Sequence, residues 1–350
     1  MNKILLLTWI LITSPFGRTD SIEGVTAEGK EISCFIYHRV GDHRYPTTNI
    51  SVKDFEMHLE YLVKNNFQVL SFSDAVAYLK SNGPSRKTAV ITIDDGYKSF
   101  FKYGLPLLRK YKLPATLFIN TKTVGGGDYM DWEELKIALK NGIEIGNHTH
   151  SHAFFLNEPP AARYKLFKDE IELSQTLIQK HLDLVPKVFS YPYGEYDKQM
   201  IEIVRDAGFV AAAAQNSGVV YEGTDLFMCP RFPMSEAYSS RDQFIEKTKA
   251  TALQLDEISP REYTMPRGGR PLLTLTIKNT ALQLRQLQCF VQGGESEVQI
   301  LESSPDKIRI TVRAKATISR RRRTLYTVTV PDKNGTWHWY SHLWVNSAVN

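Results

Sequence analysis

Seven short apolar runs, separated by stretches of helical periodicity, occupy residues 32–255: Ile32–Tyr37, Phe67–Leu70, Thr88–Ile93, Ala115–Ile119, Ile143–Ile145, Lys187–Tyr191 and Phe209–Ala213. Runs this short and this rich in β-branched residues read as strands buried on both faces, and strands alternating with helices demand parallel βα units. The helical segments fit between them. Ser51 through Asn65 puts Phe55, Leu59, Leu62 and Val63 on one face, and Asp131 with Glu134 forms a capping box ahead of LKIALK. Seven βα repeats predict a barrel or an incomplete one. After about residue 255 the period changes to two. The stretch ISPREYTMPRGGRPL, rich in proline and glycine, reads as a linker over 256–271, and alternating runs such as LLTLTIKN and KIRITVRAKA predict a small antiparallel β-sandwich over 272–350.

The run TAVITIDDGY ends on adjacent carboxylates, Asp94 and Asp95, followed by Gly96. Successive strand residues point to opposite sides, so two neighbouring like charges need not share an environment and can take different roles. The C-terminal ends of parallel strands are also where open sheets and barrels place their active sites. A turn opened by Asp and Gly is the bland alternative.

GNHTHSH, at 146–152, follows the strand candidate GIEI. His148 and His152 are four apart, the spacing at which one helical turn brings two imidazoles to one metal, whereas an extended segment would align His148, His150 and His152. One carboxylate and two imidazoles leave open positions on a cation, as hydrolysis requires. The same set also suits non-haem iron.

Together these motifs resemble the NodB-homology polysaccharide deacetylases, carbohydrate esterase family four. ITIDDGY is similar to the family's first motif, HTHSH to its second and SYPYGEY to its third, in the same order, over roughly residues 32–240. The resemblance implies a deformed (β/α) barrel in a domain spanning 30–255, and metal-dependent removal of N-acetyl groups from a sugar polymer. It implies Asp95, His148 and His152 as ligands of a divalent metal, zinc first with cobalt or nickel as alternatives. Asp94 is then the general base that takes a proton from water, and the backbone N–H of Tyr193, next to Pro192, is a donor to the tetrahedral oxyanion. Two departures stand out. No histidine lies between residues 232 and 337, where most members carry the general acid, so His38 in FIYHRV takes that role, as in the branch that acts on poly-N-acetylglucosamine of biofilms. Ser190 stands where the third motif usually has arginine, and Arg231 in CPRFPM is the replacement expected to orient the base. Trp132 in MDWEEL is a candidate for the substrate groove.

The remaining sequence bounds the setting. MNKILLLTWILITSPFG has a lysine and then an apolar stretch too short to span a bilayer, which predicts a signal peptide over 1–20 and export to the periplasm or cell exterior. Three cysteines, at 34, 229 and 289, exclude a disulfide scaffold and a four-cysteine zinc site, and Cys34 reads as a buried inert thiol. Residues 251–350 hold 14 Lys+Arg against 8 Asp+Glu, and residues 1–250 hold 29 against 30, so the basic character lies in the tail and peaks at Arg320–Arg323. In an exported protein this predicts association with anionic envelope material, not nucleic acid, with a solvated basic face as the alternative. Trp337, Trp339, Tyr340 and Trp344 are candidates for a sugar-stacking platform. The expected partner is an N-acetylated polysaccharide, poly-β-1,6-N-acetylglucosamine before peptidoglycan or chitin oligomers. A non-catalytic carbohydrate-binding protein is the contrasting class.

Overall fold

The computed structural model describes residues 29–265, 269–278, 281–318 and 320–349. The expected signal peptide lies outside them. Among the described residues no helix is long and apolar enough to cross a membrane.

All seven expected strands form: Glu31–Tyr37 (β1), Gln68–Leu70 (β2), Thr88–Asp94 (β3), Ala115–Ile119 (β4), Ile143–Asn147 (β5), Val188–Ser190 (β6) and Ala211–Ala213 (β7). They are parallel to their neighbours in one curled sheet. β3 pairs with β1 along its length, from Ile32↔Thr88 to Tyr37↔Ile93. Its other edge is shared, the first half by β2 and the second by β4. From β4 the sheet continues through β5 and β6 to β7.

An irregular segment closes the barrel. Cys229 bridges Ala213 of β7, and three residues later Phe232 and Pro233 pair with Phe35 and Ile36 of β1. Backbone bonds from Cys229 to Ala212 and from Met234 to Ile36 fix both ends of this seam. All seven residues of β3 are buried, the pattern of a strand covered on both faces. Phe35, Tyr37, Ile91, Ile93, Leu117 and Ile145 join one apolar cluster, whereas Cys34, Val90, Phe118, Val188 and Cys229 join another. Helices begin where short polar side chains accept from the first turn: Ser51 from Asp54, Ser71 from Asp74, and Asp131 in the expected reciprocal box with Glu134. Cys34 is fully buried, which pushes its thiol up to about 12.

The second domain is a sandwich of two four-stranded sheets. Leu255–Ser259 (β8), Leu272–Lys278 (β9), Lys307–Ala314 (β12) and Ser296–Ser303 (β11) form one sheet. Gln288–Val291 (β10), Arg323–Pro331 (β13) and Trp337–Val345 (β14) form the other, with the short strand Thr251–Ala252 at its edge. Three sequence expectations change here. The stretch read as a linker carries β8, paired with β9, and Tyr263 and Met265 exchange backbone bonds with Val345. The described part of the stretch is thus tied to strands and is not a free tether. The aromatics of β14 form no open platform: Trp344 is buried, and Trp339 packs edge-on to Phe232 of the barrel seam and donates to Ser217. The basic run is not simply a solvated face, because Arg322 and Arg323 turn inward to the barrel. Leu343 and Val345 share a core cluster with Phe155, Tyr191 and Tyr196, so the two domains have apolar interior in common.

Candidate active site

Asp94 lies on the strand face that carries Val90 and Thr92 and is completely buried. A lone carboxylate there would be expelled or protonated, and the structure supplies its counter-ion from the seam. Arg231, also fully buried, grips Asp94 with two bonds of 2.8 Å, Nη1 to Oδ1 and Nη2 to Oδ2. The fork is held in turn. Nη1 also donates to Thr92 Oγ1, Nε to the Ala214 carbonyl, and Nη2 to Ser190 Oγ, whose hydroxyl donates to Asp94. Burial alone would raise the Asp94 pKa, but Arg231, with His148 beside it, reverses that and holds the carboxyl well below the usual carboxylate range. Arg231 is thus the counter-ion of Asp94, and Ser190 is the small hydroxyl residue beside the pair.

Asp95 follows in a left-handed conformation, with φ 74°, and Gly96 continues it at φ 75°. The strand parity breaks at that point, and the carboxylate turns toward the histidines. His148 Nε2 and His152 Nε2 lie 3.5 and 3.4 Å from Asp95 Oδ1. His148 is reached from the end of β4, its N–H bonding to Ile119, and its Nδ1 sits 2.7 Å from the Ser190 carbonyl. That carbonyl accepts only from a protonated Nδ1, which leaves the Nε2 lone pair facing Asp95. His152 is brought round by left-handed residues at Thr149 and at His152 itself. His150, left open by the sequence, is outside the cluster: its Nδ1 pairs with Thr121 Oγ1 and its N–H with Glu170. Burial brings His148 and His152 down to about 4 against the opposing charge of Asp94, so both imidazoles are neutral at neutral pH.

The three ligand atoms lie within 4.8 Å of one another. Two atoms each ~2.0–2.1 Å from a tetrahedral ion stand roughly 3.4 Å apart, so the observed spacings fit a shared cation. Neutral imidazoles with one nitrogen already engaged, plus a carboxylate, are the donor set such an ion takes.

His38 directly follows β1, half-buried, within electrostatic reach of both Asp94 and His152. The next residue, Arg39, is stacked between the rings of Tyr45 at 3.9 Å and Tyr97 at 3.6 Å, and bonds to Asp42, which ties the loop after β1 to the loop after β3. Tyr193 sits in the turn that opens with buried Pro192, at φ 59°, ψ 4°. Its ring stacks on Phe154 at 3.7 Å and meets His152 edge-on at 4.3 Å. Trp132 is elsewhere in its contacts. It lies flat on His181, 4.4 Å between centroids, against the barrel core.

Residues 81–212 match the family model described as polysaccharide deacetylase. Over that stretch the chain is similar to the polysaccharide deacetylases. YxkH of Bacillus subtilis is 24% identical over 215 residues, 61% of this chain and 75% of its own length. The poly-beta-1,6-N-acetyl-D-glucosamine N-deacetylase of Staphylococcus aureus is 25% identical over 213 residues, 58% of this chain and 73% of its own. Among solved structures, IcaB from Ammonifex degensii is 26% identical with a TM-score of 0.55, covering 63% of this chain and 97% of that one. The Streptococcus pyogenes deacetylase PplD, 18% identical at a TM-score of 0.58, shares the fold over 63% of this chain and 99% of its own.

Sequence reasoning missed Thr92, Asn120, Phe154, Arg322 and Arg323. Asn120, at the end of β4, donates to Asp95 at 3.3 Å. Its place one residue past a strand end is the signal that could have found it. Nothing in the spacing of Arg322 and Arg323 points to the site.

Proposed function

We propose that this deacetylase removes N-acetyl groups from poly-β-1,6-N-acetylglucosamine or a closely similar exopolysaccharide, outside the cytoplasm, with its N-terminal segment serving as a signal peptide. The named substrate of the Staphylococcus aureus relative and the 26% identity to IcaB support that substrate class. The observation that carries the mechanism is the division of labour between Asp94 and Asp95: one is locked by Arg231 inside the barrel and the other faces two neutral imidazoles.

Asp95, His148 and His152 would hold a divalent cation, zinc in the first instance, which polarises the acetamide carbonyl and makes a nearby water more acidic. Asp94 takes a proton from the attacking water as its oxygen bonds to the carbonyl carbon. The Tyr193 N–H donates to the oxyanion. His38 gives a proton to the nitrogen as the C–N bond breaks, and the products are acetate and a free amine. The test is acetate release from poly-β-1,6-N-acetylglucosamine, chitin oligomers and peptidoglycan by the chain lacking residues 1–20, after chelation and after zinc, cobalt or nickel is restored. Cation-dependent release fastest on the first polymer is expected. Faster release on either other substrate would reassign the polymer, and none on any would overturn the reading.

A further inference from the structure

We propose that the sandwich domain is a positioning device for the hydrolytic site, and that Arg323 and Arg322 act by fixing the Tyr193 loop. The inference rests on the oxyanion role given to Tyr193 above. Tyr193 and Gly194 are consecutive left-handed residues, at φ 59° and 69°. For a non-glycine residue that conformation is strained and persists only where surroundings impose it. Gly194 is pressed so closely on Gln215 that a Cβ would stand 2.5 Å from the Gln215 Cβ, which makes glycine obligatory there. The turn's own bonds run from Gly194 to Tyr191 and from Glu195 to Pro192, and the Tyr193 N–H is in neither.

What imposes the conformation comes from the start of β13. Arg323 Nη1 donates to the Tyr193 carbonyl at 2.6 Å and to Gln215 Oε1 at 3.2 Å, so one nitrogen ties the turn to the chain it presses on. Arg322 forks onto Glu195, with both bonds 2.7 Å and side-chain exposures of 9% and 3%. Its guanidinium also lies 4.1 Å from the centre of the Phe154 ring, on which Tyr193 is stacked. The two arginines therefore grip the residue on each side of Gly194 and back the ring of Tyr193. Pinning those points fixes the direction of the Tyr193 N–H. Because 97% of the IcaB chain is matched by 63% of this one, more than a third of this chain has no counterpart there.

The experiment compares the wild type with Arg323→Ala, Arg323→Lys and Glu195→Gln, each otherwise full-length after removal of residues 1–20. Arg323→Ala should lower kcat on the polymer about 10–100-fold, as a misplaced catalytic donor does, with KM within about twofold. Arg323→Lys, which keeps one donor, should recover most of that loss. Hydrogen exchange of the peptide 191–197 should accelerate in Arg323→Ala and Glu195→Gln, while that of 88–95 stays at the wild-type rate. Unchanged kcat and unchanged exchange in Arg323→Ala would overturn the proposal, as would a kcat loss that tracks loss of folded protein and is not rescued by lysine. A wild type without deacetylase activity would instead overturn the functional reading, and the exchange measurement would still decide whether the arginines hold the loop.

Discussion

The two sides of the active site are built on different principles. The side proposed to hold the cation, Asp95 with His148 and His152, comes from the ends of β3 and β5 and is assembled by left-handed turns within a few residues of each strand. The side proposed to handle protons and the oxyanion is long-range: Asp94 meets an arginine 137 positions away, and the Tyr193 carbonyl meets one 130 positions away in another domain. Local construction makes a site robust and readable, whereas remote construction makes it dependent on the completed fold. Perturbations of the first should remove the cation and little else. Those of the second should leave cation affinity intact while removing turnover or stability.

The sharpest division is expected at Asp94. Asp94→Asn should lower turnover by roughly 10²–10⁴-fold, the usual contribution of a positioned base, while cobalt titration of the variant matches the wild type. Weakened cobalt binding would merge the two sides and break the comparison. His148→Ala should do the reverse, losing cation affinity and activity together with only a small change in urea midpoint. Next in size is Arg231→Met. Leaving Asp94 buried without its partner should cost roughly 3–5 kcal/mol in urea unfolding, because the penalty of an unpaired buried charge is then exposed. A loss under about 1 kcal/mol would mean that the pair contributes orientation alone.

The smallest effect concerns the joint between the domains. His342 in β14 is almost fully buried, bonded to the Glu262 carbonyl and stacked on Tyr263, and burial first of all brings it from 6.5 down to about 4. A histidine depressed in the fold is neutral there while the unfolded chain takes up a proton. Stability is therefore complete above about pH 6.5 and falls as the pH drops toward 4, by up to roughly 3 kcal/mol from this residue. His342→Phe should flatten the urea-midpoint profile between pH 7 and 5 relative to the wild type. An unchanged slope would show that the joint does not sense acid through His342.

This asymmetry also explains what was legible beforehand. The strands were readable because buried parallel strands concentrate β-branched residues in short runs, and Asp94, Asp95, His148 and His152 were readable because each follows such a run. Arg231 was found only as the residue left to fill a missing arginine. Its pairing depends on how the barrel seam crosses β1, a tertiary fact without sequence periodicity. Trp132 shows an ambiguity of another kind: a tryptophan opening a helix near the site loop suits a substrate groove or stacking on His181, and the structure shows that stacking. The run Arg320–Arg323 shows the limit of composition. Four adjacent cations read as one patch, yet Glu195 and the Tyr193 carbonyl draw two of them, Arg322 and Arg323, into the molecule.

The seam at Cys229–Met234 carries a consequence for biogenesis. Asp94 precedes Arg231 by 137 positions, so a chain shorter than the seam has nothing to neutralise that carboxylate, which stays in water or protonated. Closing the barrel and burying Asp94 as an ion are then a single event.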